Sequence, residues 1–257
     1  MKKQVIISAS IVLYKEDINE LKKTINSFLS SPISKKLYLI DNTKNSLFKN
    51  EFKNDEIIYI ENKKNLGFGK GHNQIIETIT DYSQYHLILN PDVVFKKEVI
   101  PNLITQLNID TDVSMIAPKV LFPNGEHQFS CRRYPTIIEL LVRRFGLLKP
   151  LFFSRIKKGQ YRNRNLSKPF YPEYITGCFQ LYKTKDFVQI KGFDERYFLY
   201  MEDIDICKKI DFIGKKKLYF PEVEVYHILK QGSSKKIKLL FYHLSSAIKY
   251  FKKWGIT

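Results

Sequence analysis

Apolar positions in the first half of the chain alternate between two spacings. Short apolar runs, rich in β-branched residues, predict buried strands at residues 5–13, 37–40, 57–60, 85–89 and 113–117. Apolar residues spaced three or four apart predict helices at residues 17–29, 70–82 and 96–107. Strands that alternate with helices indicate right-handed βαβ units and therefore a mostly parallel central sheet flanked by helices.

This alternation ends after residue 122. Residues 132–168 are basic, aromatic and irregular, and their pattern predicts one helix near residues 137–145 followed by a loop. The remaining elements predicted are a strand at 174–182, a helix at 204–212, short strands at 218–220 and 223–227, and an amphipathic helix at 235–253. The expected fold class is α/β, with a basic helical extension at the C-terminus.

Composition limits the class of protein. The chain has 257 residues, of which 44% are hydrophobic, so it can bury the core of one large globular domain. Its three cysteines are widely spaced, which disfavours a zinc site or a disulfide framework and indicates a reducing compartment. The apolar N-terminus is short and indicates a first strand, and no apolar run is long enough to predict a membrane-spanning helix.

The positive charge is concentrated in two segments. The formal net charge is +17, and residues 130–168 hold eleven Lys/Arg against a single acid, Glu139. Residues 235–257 add six Lys and no acid. Charge that is localised in this way indicates an anionic partner at two places, such as nucleic acid, anionic lipid or a phosphorylated substrate.

Carboxylates lie at two predicted strand ends. Asp41 follows the second predicted strand, and Asp92 follows the fourth within Asn90-Pro91-Asp92. Parallel α/β sheets bind ligands at the carboxyl ends of their strands. A carboxylate there, held by the preceding proline, can bind a hard divalent cation and leave one face open to phosphate oxygens. A simple turn is the alternative interpretation of this tripeptide.

A second group of acids follows an aromatic stretch. Its members are Asp194, Glu195, Glu202, Asp203 and Asp205. Clustered carboxylates repel one another unless they share a proton, a cation or a basic group, although a solvated first helical turn also favours acids. On a helix that begins near Glu202, Glu202 and Asp205 share a face while Asp203 points elsewhere. One carboxylate can therefore face a pocket while its neighbours are anchored.

Two further features are weaker on their own. Residues 65–73 are glycine-rich and open a helix, so their backbone N–H groups could approach an anion. The segment matches the dinucleotide-binding GxGxxG pattern poorly, which argues against a nicotinamide site. His227 ends a predicted strand, where a lone histidine is usually structural unless a carboxylate-held metal lies nearby.

In this order, the motifs resemble those of the inverting glycosyltransferases of family 2, which have the GT-A fold. The matching stretches, within roughly residues 5–230, are Ser10-Ile11-Val12-Leu13-Tyr14, Leu39-Ile40-Asp41-Asn42, Asn65-Leu66-Gly67-Phe68-Gly69 with Asn73, Leu89-Asn90-Pro91-Asp92, Thr176-Gly177-Cys178-Phe179, and Gly192-Phe193-Asp194-Glu195 running to Glu202-Asp203-Ile204-Asp205. Arg132-Arg133-Tyr134-Pro135-Thr136 and residues 243–254 are most similar to bacterial rhamnosyltransferases of O-antigen and cell-wall polysaccharide synthesis.

The resemblance implies roles for individual residues. Asp203 would be the general base, while Asp92 and His227 would hold Mg²⁺ or Mn²⁺ on the donor diphosphate. Asn90 stands where the family's DxD motif has its first acid, which removes one negative charge from the metal site. The donor-binding residues implied are Tyr14, Asp41 (at the nucleotide base), Asn65, Gly67, Phe68, Asn73, Asn90 and Asp92. The acceptor-side residues implied are Gly177, Glu202 and Asp205.

The expected chemistry also fits these residue types on physical grounds. Inverting transfer needs one base to take the proton of the acceptor hydroxyl as that oxygen attacks the anomeric carbon. It also needs positive charge beside the departing nucleoside diphosphate, which a divalent cation supplies. One carboxylate near the acceptor and another near the diphosphate meet both needs.

The function expected from the resemblance is transfer of L-rhamnose from dTDP-L-rhamnose to a lipid-linked saccharide. The enzyme would lie at the cytoplasmic face of the plasma membrane, attached peripherally to anionic lipid. The alternative is a galactosyl-, galactofuranosyl- or N-acetylglucosaminyltransferase that uses a UDP-sugar. A nucleic-acid-binding protein is disfavoured because the basic segments lie apart from Asp41 and Asp92, and a non-catalytic homologue is disfavoured by the presence of Asp92 and Asp203.

The expected domain organisation is one GT-A domain at residues 1–230 and a basic amphipathic helix at 231–257. Within the domain, residues 1–122 would bind the nucleotide and residues 123–230 the acceptor. The sequence carries no signal for oligomeric state.

Overall fold

The computed structural model describes residues 5–45, 48–144, 151–228 and 237–255. The strands are β1 (Val5–Leu13), β2 (Lys35–Asp41), β3 (Ile57–Glu61), β4 (Ser83–Leu89), β5 (Val93–Phe95), β6 (Val113–Leu121), β7 (Cys131–Arg132), β8 (Tyr174–Ile175), β9 (Phe179–Lys183) and β10 (Lys216–His227). The helices are α1 (Ile18–Leu29), α2 (Phe68–Asn73), α3 (Ile76–Ile79), α4 (Val99–Ile109), α5 (Ile137–Arg144), α6 (Phe153–Gly159), α7 (Thr184–Gln189), α8 (Glu202–Phe212) and α9 (Ile237–Trp254).

Eight of these strands form one mixed sheet in the order β3-β2-β1-β4-β9-β6-β10-β5. The first four strands in this order are parallel to one another, and β6 is parallel to β10. Strand β9 is antiparallel to both β4 and β6, and β5 is antiparallel to β10. A separate two-stranded sheet pairs β7 with β8. The mostly parallel α/β sheet predicted from the sequence is confirmed.

Both faces of the large sheet are covered, because alternate residues of each strand point to opposite sides. In β2, Leu37 and Leu39 join a core cluster that includes residues of α1 and α4. Tyr38 and Ile40 join a second cluster with residues of α3, α7, α8 and α9. Two-sided burial is typical of parallel sheets and explains the continuous apolar runs in the sequence.

Helix α1 shows how local sequence determines an element boundary. Asp17 caps its N-terminus, since the carboxylate accepts hydrogen bonds from the backbone N–H groups of Asn19 (2.9 Å) and Glu20 (3.0 Å). The apolar side chains of Leu21, Ile25 and Phe28 recur at helical spacing and are buried.

Three elements differ from the pattern-based prediction. The helix predicted at 70–82 is two short helices, α2 and α3, with Ile75 between them at φ −105° and ψ 3°. The strand predicted at 174–182 is divided between the two sheets, as β8 and β9. Conversely, β10 is one strand where two were predicted. The register of its pairing with β6 shifts between Phe220 and Glu224, around Pro221, which has no N–H to donate to the neighbouring strand.

The basic segment at 130–168 contains more regular structure than predicted. Besides α5, it contains β7 and α6, which occupies part of the predicted loop. The helix predicted near residues 137–145 was expected to end at Phe145, which lies outside the described residues.

The C-terminal helix α9 packs against the loop that precedes α8. Ser246 Oγ donates a hydrogen bond to the carbonyl of Leu199 (2.9 Å), and Lys249 Nζ donates one to the carbonyl of Arg196 (2.7 Å). Tyr250 is buried in the core cluster of that face. Throughout the described ranges, every helix is too short or too polar to cross a bilayer.

Candidate active site

Two adjoining cavities open at the carboxyl ends of β1, β2 and β4. The first, which we call the Asp92 cavity, measures about 410 Å³ and is lined by Val12, Tyr14, Glu16, Asn42, Asn65, Gly67, Phe68, Asn90, Pro91, Asp92, Phe198, Leu199, Tyr200, His227 and Leu239. The second, the Asp203 cavity, measures about 390 Å³, and its lining includes Gln128, Ser130, Arg132, Gly177, Glu202, Asp203 and His243. The two cavities adjoin, since both are lined by Phe68, Asn90, Leu199, Tyr200 and His227.

Backbone hydrogen bonds from three directions hold the Asn90-Pro91-Asp92 turn. The N–H of Asn90 donates to the carbonyl of Cys178 (2.9 Å), and Thr24 Oγ1 donates to the carbonyl of Pro91 (2.8 Å). The carbonyl of Asp92 accepts from the N–H of Ile228 (3.2 Å). The carboxylate is thus presented from a rigid turn.

Asp92 and His227 meet although they are distant in sequence. Asp92 Oδ1 lies 3.3 Å from His227 Nε2, and both side chains are buried. Asn90 Nδ2 lies 3.4 Å from the same ring nitrogen. The other ring nitrogen, Nδ1, lies 2.9 Å from Gln128 Oε1, and the Gln128 amide also donates to the backbone carbonyl of His227. Because an amide oxygen can only accept, Nδ1 is the donor and carries the proton.

This arrangement fits a divalent cation that is completed by substrate oxygens. Among the described residues, no group of three or more His, Cys, Asp or Glu side chains is arranged to hold a metal ion. Asp92 and His227 alone provide one carboxylate and one imidazole nitrogen. Mg²⁺ and related ions in nucleotide enzymes commonly take one or two protein ligands together with phosphate oxygens and water. Two ligands beside an open cavity satisfy that requirement.

The glycine-rich segment is tied directly to the loop before α8. Gly67 has φ +87°, and a Cβ at this position would lie 2.2 Å from the carbonyl oxygen of Phe198, so only glycine fits. The N–H of Phe68 donates to that same carbonyl (3.1 Å). Asn65 Oδ1 accepts from the N–H of Gly67 (2.9 Å), and Asn42 Nδ2 donates to its carbonyl (3.1 Å). The Asp92 cavity therefore has a preorganised wall.

A strained turn precedes the acidic pair at the start of α8. Tyr200 and Met201 both have left-handed backbone conformations, with φ +70° and +69°. Consecutive non-glycine residues in this region are uncommon and concentrate at functional sites. The turn directs Glu202 and Asp203 into the same cavity, which Gly177 also lines.

The two acids differ in their surroundings. Glu202 is 6% exposed, and its Oε2 has no hydrogen-bond partner within the described residues. Burial, and secondarily the charge of Asp203, raises the pKa of Glu202 to about 8. Burial also raises the pKa of Asp203, although the backbone N–H groups of Ile204 and Gly177 and the charge of Arg132 oppose this effect. Asp203 is only partly buried and faces the cavity.

Most of the site residues inferred from sequence line one of these cavities. Those of the Asp92 cavity are Tyr14, Asn65, Gly67, Phe68, Asn90, Asp92 and His227. Those of the Asp203 cavity are Gly177, Glu202 and Asp203.

The remaining three, Asp41, Asn73 and Asp205, do not line either cavity in the part of the chain that the structure describes. Asp41 is buried and accepts hydrogen bonds from the hydroxyl of Tyr59 and the N–H of Thr43. Its neighbour Asn42 lines the Asp92 cavity in its place.

Asn73 and Asp205 instead anchor the loop between α7 and α8. Asn73 exchanges two hydrogen bonds with the backbone of Phe193, at 2.8 and 2.9 Å. Asp205 is fully buried and accepts from Lys253 Nζ (2.7 Å) and Trp254 Nε1 (2.7 Å). Both residues therefore hold the segment that presents Glu202 and Asp203.

Several cavity residues were not inferred from the sequence. Arg132 stands in a motif that was noted for its resemblance but was given no role, and His243 likewise begins the noted C-terminal segment. Gln128 and Ser130 carry no local signal, because their place depends on strand pairing and on contacts across the fold.

The chain matches the family model "Glycosyl transferase family 2" over residues 8–190, and it belongs to that family. It is similar to rhamnosyltransferase WbbL of Escherichia coli, with 25% identity over 73% of this chain and 70% of the relative. It is also similar to the N-acetylglucosaminyl-diphospho-decaprenol L-rhamnosyltransferase of Mycobacterium tuberculosis, with 27% identity over 63% of this chain and 56% of the relative.

The fold agrees with this assignment. A crystal structure of GalNAc-T7 with UDP, GalNAc and Mn²⁺ superposes with a TM-score of 0.70 at 16% identity, covering 98% of this chain and 50% of that chain. The GT-A fold expected from the sequence is confirmed. The chain is therefore a glycosyltransferase.

Proposed function

We propose that this glycosyltransferase moves L-rhamnose from dTDP-L-rhamnose, with inversion, onto the saccharide of a lipid-linked acceptor. The observation that carries the proposal is that the two cavities adjoin, with Asp92 in one, Asp203 in the other and His227 lining both. The names of the two relatives support the choice of sugar, and the mycobacterial name supports a sugar carried on a lipid diphosphate.

The Asp92 cavity would bind the donor. Asp92 and His227 would hold Mg²⁺ or Mn²⁺, with Gln128 accepting from Nδ1 so that Nε2, the nitrogen beside Asp92, is left for the cation. When bound, such a cation neutralises the negative charge that develops on the departing diphosphate. Asn42 and Asn65 line the same cavity and supply polar contacts for the nucleoside.

The Asp203 cavity would bind the acceptor. Asp203 takes the proton from the attacking hydroxyl, whose oxygen forms the new bond to the anomeric carbon. The bond from that carbon to the donor phosphate oxygen breaks at the same time, and the nucleoside diphosphate departs with the electron pair. Burial, which raises the pKa of Asp203, makes the carboxylate a stronger base than an exposed aspartate.

The donor assignment can be tested by ligand-induced stabilisation. We expect dTDP with Mn²⁺ or Mg²⁺ to raise the melting temperature more than UDP, because a ligand stabilises the folded state it binds. Asp92→Asn should abolish the cation-dependent part of that shift, whereas Asp81→Asn, an exposed control, should retain it. A larger shift with UDP would support the UDP-sugar alternative, and equal shifts with and without cation would contradict the metal site.

We further propose that the enzyme docks on an anionic membrane surface through α9 and the segment 130–168. Helix α9 exposes an apolar stripe made of Ile237 (76% exposed), Phe241 (66%), Leu244 (45%) and Ile248 (58%). These four positions recur at helical spacing and form one face, as in helices that lie in a membrane interface. The surrounding segments hold most of the net charge of +17, which complements anionic headgroups.

The position of α9 links this surface to the catalytic cavities. Leu239 lines the Asp92 cavity, and His243 lines the Asp203 cavity. Leu239 and His243 lie on the face of α9 opposite the stripe, so a membrane that contacts the stripe would lie roughly 10 Å, one helix diameter, from the cavities. Lys249 and Lys253 bind within the protein, so headgroup contact falls to other basic residues.

A further inference from the structure

The Asp203 cavity contains a cationic group, Arg132, whose charge favours the ionised form of Asp203 and which the proposed chemistry does not otherwise use. Arg132 lies at the end of β7, and its Nε donates a hydrogen bond to the carbonyl of Phe129 (3.1 Å). Its Nη groups have no hydrogen-bond or ion-pair partner among the described residues, although the side chain lines the cavity. The guanidinium is thus fixed at one nitrogen and leaves its outer N–H groups available.

A buried hydroxyl accompanies this guanidinium. Ser130 is 3% exposed and lines the same cavity, and within the described ranges its Oγ has no hydrogen-bond partner. Its backbone is held in place, because its carbonyl accepts from the N–H of Thr176 (2.9 Å). A buried hydroxyl without a partner costs free energy, and a ligand that accepts its hydrogen bond removes that cost.

The neighbouring arginine provides a contrast. Arg133 pairs with Glu173 at 3.3 Å, and its guanidinium lies 5.0 Å from the centre of the Tyr161 ring. Its charge is compensated within the protein, and it does not line either cavity in the described structure. Of these two adjacent arginines, only Arg132 is placed to bind a ligand in the Asp203 cavity.

We propose that Ser130 and Arg132 form a phosphate subsite that binds the diphosphate joining the acceptor sugar to its lipid. The proposal rests on the proposed function, which places a lipid-linked saccharide in this cavity. A guanidinium binds phosphate oxygens through two parallel N–H groups, and a serine hydroxyl can donate a further hydrogen bond. The subsite would orient the acceptor so that its reacting hydroxyl faces Asp203.

The donor also contains a diphosphate, but its place differs. Neither Ser130 nor Arg132 lines the Asp92 cavity, where Asp92 and His227 would hold the cation for the donor. Both share their cavity with Asp203, the proposed base for the acceptor. The arginine and the serine therefore belong to the acceptor cavity, although His227 lines both cavities.

The test is a calorimetric titration of the full chain, saturated with dTDP and Mg²⁺, with octyl diphosphate. Octyl glucoside provides the control for binding of the alkyl tail alone. We expect octyl diphosphate to bind the wild-type complex, and Arg132→Gln to weaken that binding roughly 10- to 100-fold, as expected for a lost charge-assisted contact. Arg132→Lys should lose less affinity for octyl diphosphate, because lysine retains the positive charge but lacks the two parallel N–H groups of the guanidinium. Ser130→Ala should weaken binding by a smaller factor.

Arg133→Gln is the matched control and should bind octyl diphosphate like the wild type, with thermal melting used to confirm that every variant is folded. Affinity for dTDP should be equal in all of them. Loss of dTDP affinity in Arg132→Gln would assign the arginine to the donor and overturn the proposal. Equal binding of octyl diphosphate by wild type and Arg132→Gln would also overturn it. Because the readout is binding, a failure to transfer rhamnose would overturn the proposed donor and leave the phosphate subsite standing.

Discussion

At the scale of single residues, the site depends on how adjacent carboxylates differ. Glu202 and Asp203 are neighbours in sequence and line the same cavity. Glu202 is almost completely enclosed, with an unpaired oxygen, whereas Asp203 is partly exposed and accepts a hydrogen bond from the N–H of Ile204 (2.9 Å). When their surroundings give two neighbouring acids different pKa values, the acids commonly have different roles. Here the more accessible acid, Asp203, is the proposed base.

Asp203→Asn tests this assignment. We expect transfer to fall by a factor on the order of 10² to 10⁴, the usual contribution of a general base, because asparagine cannot accept the proton. Donor binding, measured by thermal stabilisation with dTDP, should be unchanged. Asp81→Asn, which alters an exposed acid elsewhere, should retain full turnover. Near-normal turnover in folded Asp203→Asn would show that another group accepts the proton.

The pKa of Glu202 leads to a prediction about stability. Its folded value of about 8 lies above the ordinary 4.5, so between these pH values the folded state holds a proton that the unfolded state releases. The free energy of unfolding therefore decreases as pH rises across this range. Glu202→Gln removes this contribution and should flatten the decrease, as measured by urea denaturation. An identical pH dependence in the two proteins would contradict the raised pKa of Glu202.

At the scale of elements, α9 holds the start of α8 in place. Lys253 Nζ binds Asp194 (2.8 Å) in the loop and Asp205 (2.7 Å) on α8, and Trp254 adds a hydrogen bond to Asp205. Burial alone would raise the pKa of Asp194, but hydrogen bonds from Arg196 and Lys253 outweigh it and leave the pKa strongly lowered. The C-terminal helix thus compensates the buried charge of Asp205 beside Glu202 and Asp203.

Lys253→Met tests this contact between elements. Asp205 is fully buried, and removal of Lys253 leaves its carboxylate without that cationic partner, although the hydrogen bond from Trp254 remains. We expect a loss of about 3 kcal/mol in the free energy of unfolding, the usual order for such a change. Lys252→Met, which alters the exposed neighbour, should lie within about 0.5 kcal/mol of wild type. Equal urea denaturation curves for the two variants would show that the contact does not stabilise the fold.

At the scale of the whole molecule, charge and exposed apolar area are found together. The net charge of +17 is concentrated in the two segments that also expose Ile138 (48%), Phe153 (53%) and the stripe on α9. Each basic residue near an anionic surface contributes roughly 1 kcal/mol, which salt screens within about a Debye length. Several such residues give reversible attachment without a spanning helix.

Vesicle cosedimentation tests the proposed docking. Wild type should sediment with vesicles that contain anionic lipid at low salt and be released as salt increases, because headgroup attraction is screened. The double variant Phe241→Ser with Ile248→Ser should sediment less, since both side chains are exposed on the stripe. Ser245→Ala, on an exposed position of the same helix, provides the control. Wild-type protein that stays in the supernatant at low salt would contradict the docking proposal.

The sequence by itself determined the features that depend on local periodicity. Alternating apolar spacing predicted most strands and helices of the sheet, because burial selects the period of each element. Strand ends placed Asp92 at the ligand-binding edge, and the order of motifs indicated the family. The sequence also made Asp203 the candidate base, a role that stays a prediction.

Tertiary structure alone decided which side chains meet. Asp205 has the same acidic character as Asp203, yet it faces Lys253, because α9 returns to pack against α8. Gln128 orients His227 across 99 positions of sequence, and no local pattern encodes that pairing. Ser8 and Ser10 of β1 are polar, which predicts exposure, but both are fully buried. They form hydrogen bonds with the rings of His86 and His72, respectively. Secondary-structure propensity and apolar periodicity depend on a few neighbouring residues. Burial and charge compensation depend on chain segments that meet only when the sheet has formed.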